Sequence, residues 1–302
     1  MKVIFLGTSA ARPTTIRWLS CVVVRRKREF FMFDCGEGTQ YRLLQEKIRV
    51  WHRPVHILIS HLHYDHWGGL LGLIASMALE GRENPLKIYG PPGIQTLFQC
   101  FSMILRKGNF PIEFLECSPG VLHETQEYRV VACDGTHNIP TLAFALIEKK
   151  RLGKFYPNRA RAHKIPEGPL WGKLQTGETI QVDGRTITPD QVLGRPRLGR
   201  KLVYAVDTRP NRHIEELATN ADLLIHDATF SINQQSRAKE TYHSTAFEAA
   251  TLAKMAQVRQ LVLTHISARF QTDEILLHEA EEVFENSRVA YDGLTLSIPL
   301  RD

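Results

Sequence analysis

Short runs of apolar and β-branched residues, each closed by glycine, proline or a charge, recur through the first third of the chain. VIFLG (3–7), CVVV (21–24), REFFMFD (28–34), VHILIS (55–60) and LKIYG (86–90) have this form and predict strands. Between them GEGTQYRLLQ (36–45) opens a helix after a glycine turn, and GGLLGLIASMALE (68–80) continues as an apolar helix. PPGIQTLFQCFSMILR (91–106) predicts another helix with proline in its first turn. Residues 111–148 read as strand-rich. After an interruption the pattern returns as strands at 201–207, 221–227 and 260–265 and helices at 244–256 and 273–285. TLSIPL (295–300) predicts a closing strand.

The interruption, residues 149–200, is rich in Gly, Pro, Arg and Lys and has weak periodicity, so it reads as an arm or lid inserted into a single domain spanning 1–302. Strands alternate with helices on both sides of it, which implies a sheet sandwich flanked by helices. No fixed short repeat and no low-complexity segment is present.

Composition changes the picture little. With 302 residues, 43% hydrophobic and 23% charged, the chain suits a soluble globular enzyme rather than a disordered one. No apolar run is long enough to span a bilayer. The apolar start stops at Gly7 and reads as a strand and turn rather than a signal peptide, so the expected location is cytoplasmic. The five cysteines (Cys21, Cys35, Cys100, Cys117, Cys133) are scattered and form no CxxC pair, which suits reduced, mostly buried thiols. A formal charge of +6 leans mildly toward polyanionic partners.

Chemistry concentrates at His61-Leu62-His63-Tyr64-Asp65-His66, directly after the strand VHILIS. A loop leaving a strand end can aim several imidazoles and a carboxylate into one cavity, as zinc requires, and leave room for substrate. Four donors in six residues beside a buried strand are hard to explain as a surface loop. Three further donors also end apolar runs: His137 in CDGTHNIP, Asp207 in YAVDT and His265 in LVLTH. Each alone has an ordinary explanation, a capping aspartate or a histidine bonded to backbone. Together the seven suffice for two metals with open positions.

HxHxDH followed by His, Asp and His in that order resembles the metallo-β-lactamase superfamily. Within it the chain is similar to the short form of the ribonuclease Z family, over nearly its whole length. FLGTSA, FDCGEGTQ (33–40), GRKLVYAVDTRP (199–210), HSTAFEAA (243–250), THISARF (264–270) and AYDG (290–293) carry the likeness in joint order. The resemblance implies an α/β fold, the metallo-β-lactamase αββα four-layer sandwich. It also implies two Zn2+ per subunit, with Mn2+ or another divalent metal as substitutes. His61, His63 and His137 would hold one ion, Asp65, His66 and His265 the other, and Asp207 would bridge them. A carboxylate has two oxygens and can bridge, whereas a neutral imidazole presents one lone pair.

The same resemblance implies a zinc-dependent endoribonuclease that cuts the 3′ trailer from precursor tRNA after the discriminator nucleotide by a two-metal hydroxide mechanism. Asp65, His243 and Asp227 are the candidate catalytic residues, with His243 as general acid. Asp227, in HDAT, stands where relatives carry glutamate in HEAT, one methylene longer. Asp292 of AYDG is expected to orient a ligand histidine. Residues 13–18 depart from the family's PxKxRN, with Thr15 for lysine and Trp18 for asparagine, while Pro13 and Arg17 remain.

The arm carries Lys149, Lys150, Arg151, Lys154, Arg159, Arg161 and Lys164, with Phe155, Tyr156 and an exposed-looking Trp171 nearby. Relatives grip tRNA with an arm here that bears a Gly-Pro motif, so Lys150, Arg151, Lys154, Arg161, Lys164, Gly168 and Pro169 are candidate substrate-binding residues, and Arg17, retained from the 13–18 motif, is another. A homodimer is implied in the same way. Two other readings stand beside this one. The first is a small-molecule phosphodiesterase or other hydrolase, such as one for thioesters or lactones, on the same fold. The second is a non-catalytic RNA- or protein-binding member.

Overall fold

Apolar runs without alternation need cover on both faces, and the strands at 2–7, 29–33 and 142–148 have it. The structure, a computed structural model, describes residues 1–102 and 110–301, side chains at 100–102 excepted. In chain order, β1 (Lys2–Gly7), β2 (Cys21–Arg26), β3 (Glu29–Phe33), β4 (Val55–Leu58), β5 (Leu86–Gly90) and β6 (Ile112–Glu116) form one sheet, which β16 (Thr295–Ser297) joins beside β1. The second sheet contains β7 (Gly120–Glu124), β8 (Tyr128–Asp134) and β9 (Leu142–Glu148), then β12 (Lys201–Ala205), β13 (Leu223–Asp227), β14 (Leu261–Thr264) and β15 (Ser287–Val289). Strands β3 to β6 run parallel, as do β12 to β15.

Side-chain alternation sorts each strand between two cores. Val3 and Phe5 of β1 enter the core between the sheets, while Ile4 and Leu6 enter an outer one. Phe31 and Phe33 of β3 likewise face inward and Phe30 and Met32 outward. On the second sheet Leu202 and Tyr204 point in, and Val203 and Ala205 point out. The outer core of the first sheet is closed by α1 (Thr39–Gln45), which follows the glycine turn, and by α3 (Leu70–Leu79) and α4 (Ile94–Ser102); α2 (Tyr64–Trp67) is a single turn between strand and helix. Of the helix expected at 91–106, residues 91–93 form a turn before α4 and residues 103–106 lie outside the described residues. On the second sheet α8 (Arg212–Ala218), α10 (Ala246–Met255) and α11 (Glu274–Glu281) form the cover, and the short α9 (Gln235–Glu240) leads into α10. The order of layers is therefore helix, sheet, sheet, helix, as expected.

The inserted arm leaves β9 and returns at β12, two strands that pair antiparallel. It is more ordered than its composition suggests. It contains α5 (Pro157–Ala162), α6 (Pro169–Gln175), the hairpin β10 (Ile180–Val182) and β11 (Arg185–Ile187), and α7 (Pro189–Val192). Ala160, Ile165, Leu174, Ile180, Ile187 and Val192 pack into a small core of their own. These elements of three to seven residues are too brief to leave a periodic trace. Trp171, expected at the surface, is half-buried against that core and donates its indole N–H to the Ile165 carbonyl. Among the described cysteines, Cys21, Cys35 and Cys117 are buried and Cys133 is partly so; all four are free thiols. The Cys100 side chain lies outside the described residues. No helix among the described residues is long and apolar enough to cross a membrane.

Candidate metal centre

Every predicted donor leaves the C-terminal end of a strand on the same side of the sandwich. His61, His63, Asp65 and His66 follow β4, His137 follows β8, Asp207 follows β12 and His265 follows β14. Three residues at these ends, Asp34, Asp207 and His265, have left-handed backbone with φ of 57°, 47° and 57°. Such a conformation costs a non-glycine residue on the order of 1 kcal/mol or more, and it persists where surrounding contacts enforce it. Here it turns the chain sharply off the strand so that the side chain meets the others.

The seven donors divide into two groups that share one carboxylate. In the first, His61 Nε2 lies 3.0 Å from His63 Nδ1, His63 Nδ1 lies 3.3 Å from His137 Nε2, and His61 Nε2 lies 3.6 Å from Asp207 Oδ2. In the second, Asp65 Oδ2 is 3.3 Å from His66 Nε2 and 3.5 Å from His265 Nε2. Asp207 Oδ1 is 3.3 Å from His66 Nε2 and 3.2 Å from His265 Nε2. Ligands about 2.1 Å from one tetrahedral ion stand about 3.4 Å apart, so both groups have the spacing of a metal shell. The two oxygens of Asp207 face different groups, as the bridging role requires.

The chemistry of the donors agrees. His66 Nε2 and Asp207 Oδ1 are buried and 3.3 Å apart, yet neither is aligned in a hydrogen bond. Two unpartnered donor atoms aimed at one point suit a shared cation. Burial lowers His61, His63 and His137, keeping the imidazoles neutral and their lone pairs free. Burial opposes ionisation of Asp207, but His265, His66 and His61 override it and hold the carboxylate well below its ordinary range. Asp65 is held ionised against burial in the same way, by His66 and His265. Fully buried His66 resists charge through desolvation and is nonetheless raised by Asp207, Asp34 and Asp65. The site thus favours positive charge at its centre.

Behind the donors stand Asp34 and Thr229, which the sequence did not single out. Asp34 Oδ2 holds His66 Nδ1 at 2.7 Å and accepts from Tyr204 Oη (2.7 Å) and Ser60 Oγ (3.0 Å), while Oδ1 accepts from the Ser60 N–H at 2.7 Å. Thr229 Oγ1 lies 2.9 Å from His265 Nδ1 and donates to Asp227 Oδ1 at 2.6 Å. The role expected of Asp292 falls to Asp34: Asp292 instead accepts from Thr8 Oγ1 (2.7 Å) and the Trp18 N–H (2.6 Å), and so pins the 12–18 loop. Asp34 had one visible signal, a charge at the end of a run of buried residues in FDCGEGTQ.

His243 precedes α10, whose N-cap is Thr245, and its Nδ1 lies 2.9 Å from Asp227 Oδ2. Burial disfavours charge on His243, but the Asp227 carboxylate outweighs it and lifts the imidazole to about 9. Asp227 is fixed in turn by N–H donors from Thr208, Thr229 and Ser244. The shorter aspartate therefore still reaches the histidine. An open cleft of about 430 Å³, walled by Pro91, Pro119, Ile139 and Pro140, has His137 on its lining.

The other candidates are dispersed. Lys150, Lys154, Arg161, Lys164, Gly168 and Pro169 are exposed on the arm, where Gly168 (φ 129°) caps α6 and Pro169 starts it. Arg161 is partly engaged by Glu167 at 2.8 Å, and half-buried Arg151 donates to the Arg301 carbonyl. Arg17 was expected at the substrate and is not there. It is 6% exposed, forks onto both oxygens of Asp273 at 2.6 and 2.7 Å, and donates to Thr8 Oγ1 and the Ala290 carbonyl. Its charge is spent inside the fold, where it fastens the 12–18 loop.

Residues 170–266 match the family model described as "Beta-lactamase superfamily domain", and residues 1–144 match that of "Anti-Pycsar protein Apyc1". A protein of Methanosarcina acetivorans named Ribonuclease Z is 42% identical over 100% of this chain and 99% of its own. The chain belongs to the ribonuclease Z family. Another ribonuclease Z, from Myxococcus xanthus, is also 42% identical over 100% of this chain and 99% of its own. The solved structure of human tRNase Z, short form, covers 99% of this chain and 100% of its own with a TM-score of 0.73 at 28% identity. A metallo-β-lactamase fold protein from Bacillus subtilis aligns at a TM-score of 0.66 and 18% identity, over 98% and 99% of the two chains, and shares the fold. Membership of the ribonuclease Z family makes this chain an endoribonuclease of the metallo-β-lactamase fold.

Proposed function

We propose that this chain is a metal-dependent endoribonuclease that removes the 3′ trailer of precursor tRNA after the discriminator nucleotide and leaves a 3′-hydroxyl. The observation that carries the reading is Asp207, whose two oxygens each face a separate group of donors. Five imidazoles and two carboxylates suit zinc, with manganese as a substitute. His61, His63, His137 and Asp207 would hold one ion and Asp65, His66, His265 and Asp207 the other. Bound there, the cations would supply Lewis acidity toward the scissile phosphate and toward water.

The chain's own residues supply the rest. His243 keeps a proton at neutral pH because Asp227 stabilises its charged form, and it donates that proton from Nε2 to the departing 3′-oxygen. Asp34 and Thr229 hold His66 and His265 in orientation through their Nδ1 atoms. Lys150, Lys154 and Lys164 on the arm bind phosphates of the tRNA body, away from the chemistry. The homodimer belongs to this proposal and is read by light scattering of the purified protein.

The test uses two labelled precursors, with and without an encoded CCA, incubated with and without chelator. Cleavage after the discriminator that chelator abolishes is the expected result. A cut elsewhere, or one indifferent to chelator, refutes the proposal.

A further inference from the structure

At the opposite end of β1 from the metal centre, three segments distant in sequence meet around a second concavity of about 330 Å³. Lys2 comes from the start of β1, Arg25 and Arg28 from the β2–β3 hairpin, and Lys47, Arg49 and Arg53 from the stretch between α1 and β4. Ile4, Phe30 and Ile48, all buried, form an apolar floor. All six cations are exposed, and among the described residues none of them has an ion pair. Other surface cations, Arg161, Arg212 and Lys87, are paired with Glu167, Glu216 and Glu113. The one carboxylate on the lining, Glu46, is engaged by Arg42 at 3.1 Å. These six positive and one negative groups hold a surplus nearly as large as the +6 of the whole chain.

Like charges drawn together around a hollow repel one another, and an anion in the hollow removes that cost. The volume accommodates about one nucleotide. We infer that this concavity is a second RNA-backbone site, which takes phosphodiesters of an RNA whose 3′ end is at the metal centre or of a neighbouring segment of it. The inference rests on RNA being this chain's substrate. Distance separates the two sites: β1 spans five residue steps, about 17 Å at roughly 3.3 Å per step, before the loop whose Ala11 N–H bonds Asp65. The site is therefore a binding site and not part of the chemistry.

The experiment measures binding of mature tRNA, which has no trailer to be cut, by fluorescence anisotropy at several salt concentrations. The holoenzyme is compared with Arg28→Glu/Arg49→Glu and with Lys254→Glu/Arg288→Glu, which changes net charge equally at exposed positions elsewhere. Each phosphate that is no longer neutralised should flatten the plot of log affinity against log salt by about 0.7–0.9. The first pair should weaken binding at least tenfold and flatten the slope by about 1.5, and the second should leave the slope unchanged. Equal effects of both pairs would show a general field and overturn the inference, as would no effect of either. Full displacement of tRNA from this site by stoichiometric pyrophosphate would reassign it to small phosphorylated ligands. Failure of the proposed cleavage is seen separately, with precursors, and does not alter the slope comparison.

Discussion

Asp34 accepts four hydrogen bonds while fully buried, from His66, Tyr204 and both the backbone and the hydroxyl of Ser60. Tyr204 belongs to the second sheet and Asp34 to the first, so one carboxylate joins the two sheets directly behind the metal donors. A carboxylate there fixes the tautomer of His66 with the proton on Nδ1, leaving Nε2 free to ligate, and raises the basicity of that ligand. Asn at this position keeps the size but presents an NH2 group to donors and carries no charge. Asp34→Asn should therefore lower metal affinity about 10- to 100-fold, read by competition with a chromogenic chelator. It should also lower the melting temperature, because one buried donor loses its acceptor. Unchanged metal affinity together with a lowered melting temperature would assign Asp34 to the fold and not to the centre.

The arm's connection to the sandwich is set where three strand ends meet. Glu148, the last residue of β9, receives Arg26 Nε at 2.9 Å from the end of β2 and Arg200 Nη2 at 2.7 Å from the residue before β12. Burial would raise the Glu148 carboxyl, but Arg200 and Arg26 reverse this and bring it down to about 2. A depressed folded-state pKa means stability that is full above the ordinary carboxylate range and is lost as pH falls from about 4.5 toward 2. The loss is on the order of 3 kcal/mol. Urea unfolding at pH 6 and pH 3 should show about 2 kcal/mol of this loss in the native chain, since pH 3 is still above the folded-state value, and a shallower fall in Glu148→Gln; parallel falls would remove Glu148 from the account. Elements of this kind were readable from the sequence to different degrees. Long strands buried on both faces, such as β1 and β3, declare themselves as uninterrupted apolar runs, and the candidate metal donors stand out because four of them crowd the loop after β4 and Asp207 and His265 follow β12 and β14 closely. The three-residue β15, the hairpin of the arm and the helix α8 leave no comparable period. Asp34 was hidden for another reason: a carboxylate at a strand end looks the same in sequence whether it caps a turn or holds a histidine 32 positions away.

At the scale of the whole molecule, the fold separates the candidate metal donors from the arm. The donors cluster at one end of the sandwich on strand termini that the two sheets fix, whereas the arm is a small folded unit inserted between two paired strands. Because the arm has its own core, it can be loosened without touching the donors. Leu174 is fully buried in that core, on α6, the helix that Gly168 caps and Pro169 starts. Truncating a buried leucine to alanine costs about 2–5 kcal/mol, more than so small a core can absorb without opening. Leu174→Ala should therefore disorder the arm's basic surface while β9 and β12 remain paired in the sheet. If the arm holds the tRNA body as proposed, it binds ground state and transition state alike, and the expected signature is a KM for precursor tRNA raised roughly tenfold with kcat little changed. Hydrolysis of bis-p-nitrophenyl phosphate, which is too small to reach the arm, should proceed at the native rate. Hydrogen exchange should rise across residues 155–193 and stay low in β12 and β14. If both substrates slow together, the arm and the metal centre are one cooperative unit, and the division of labour drawn from the geometry is wrong.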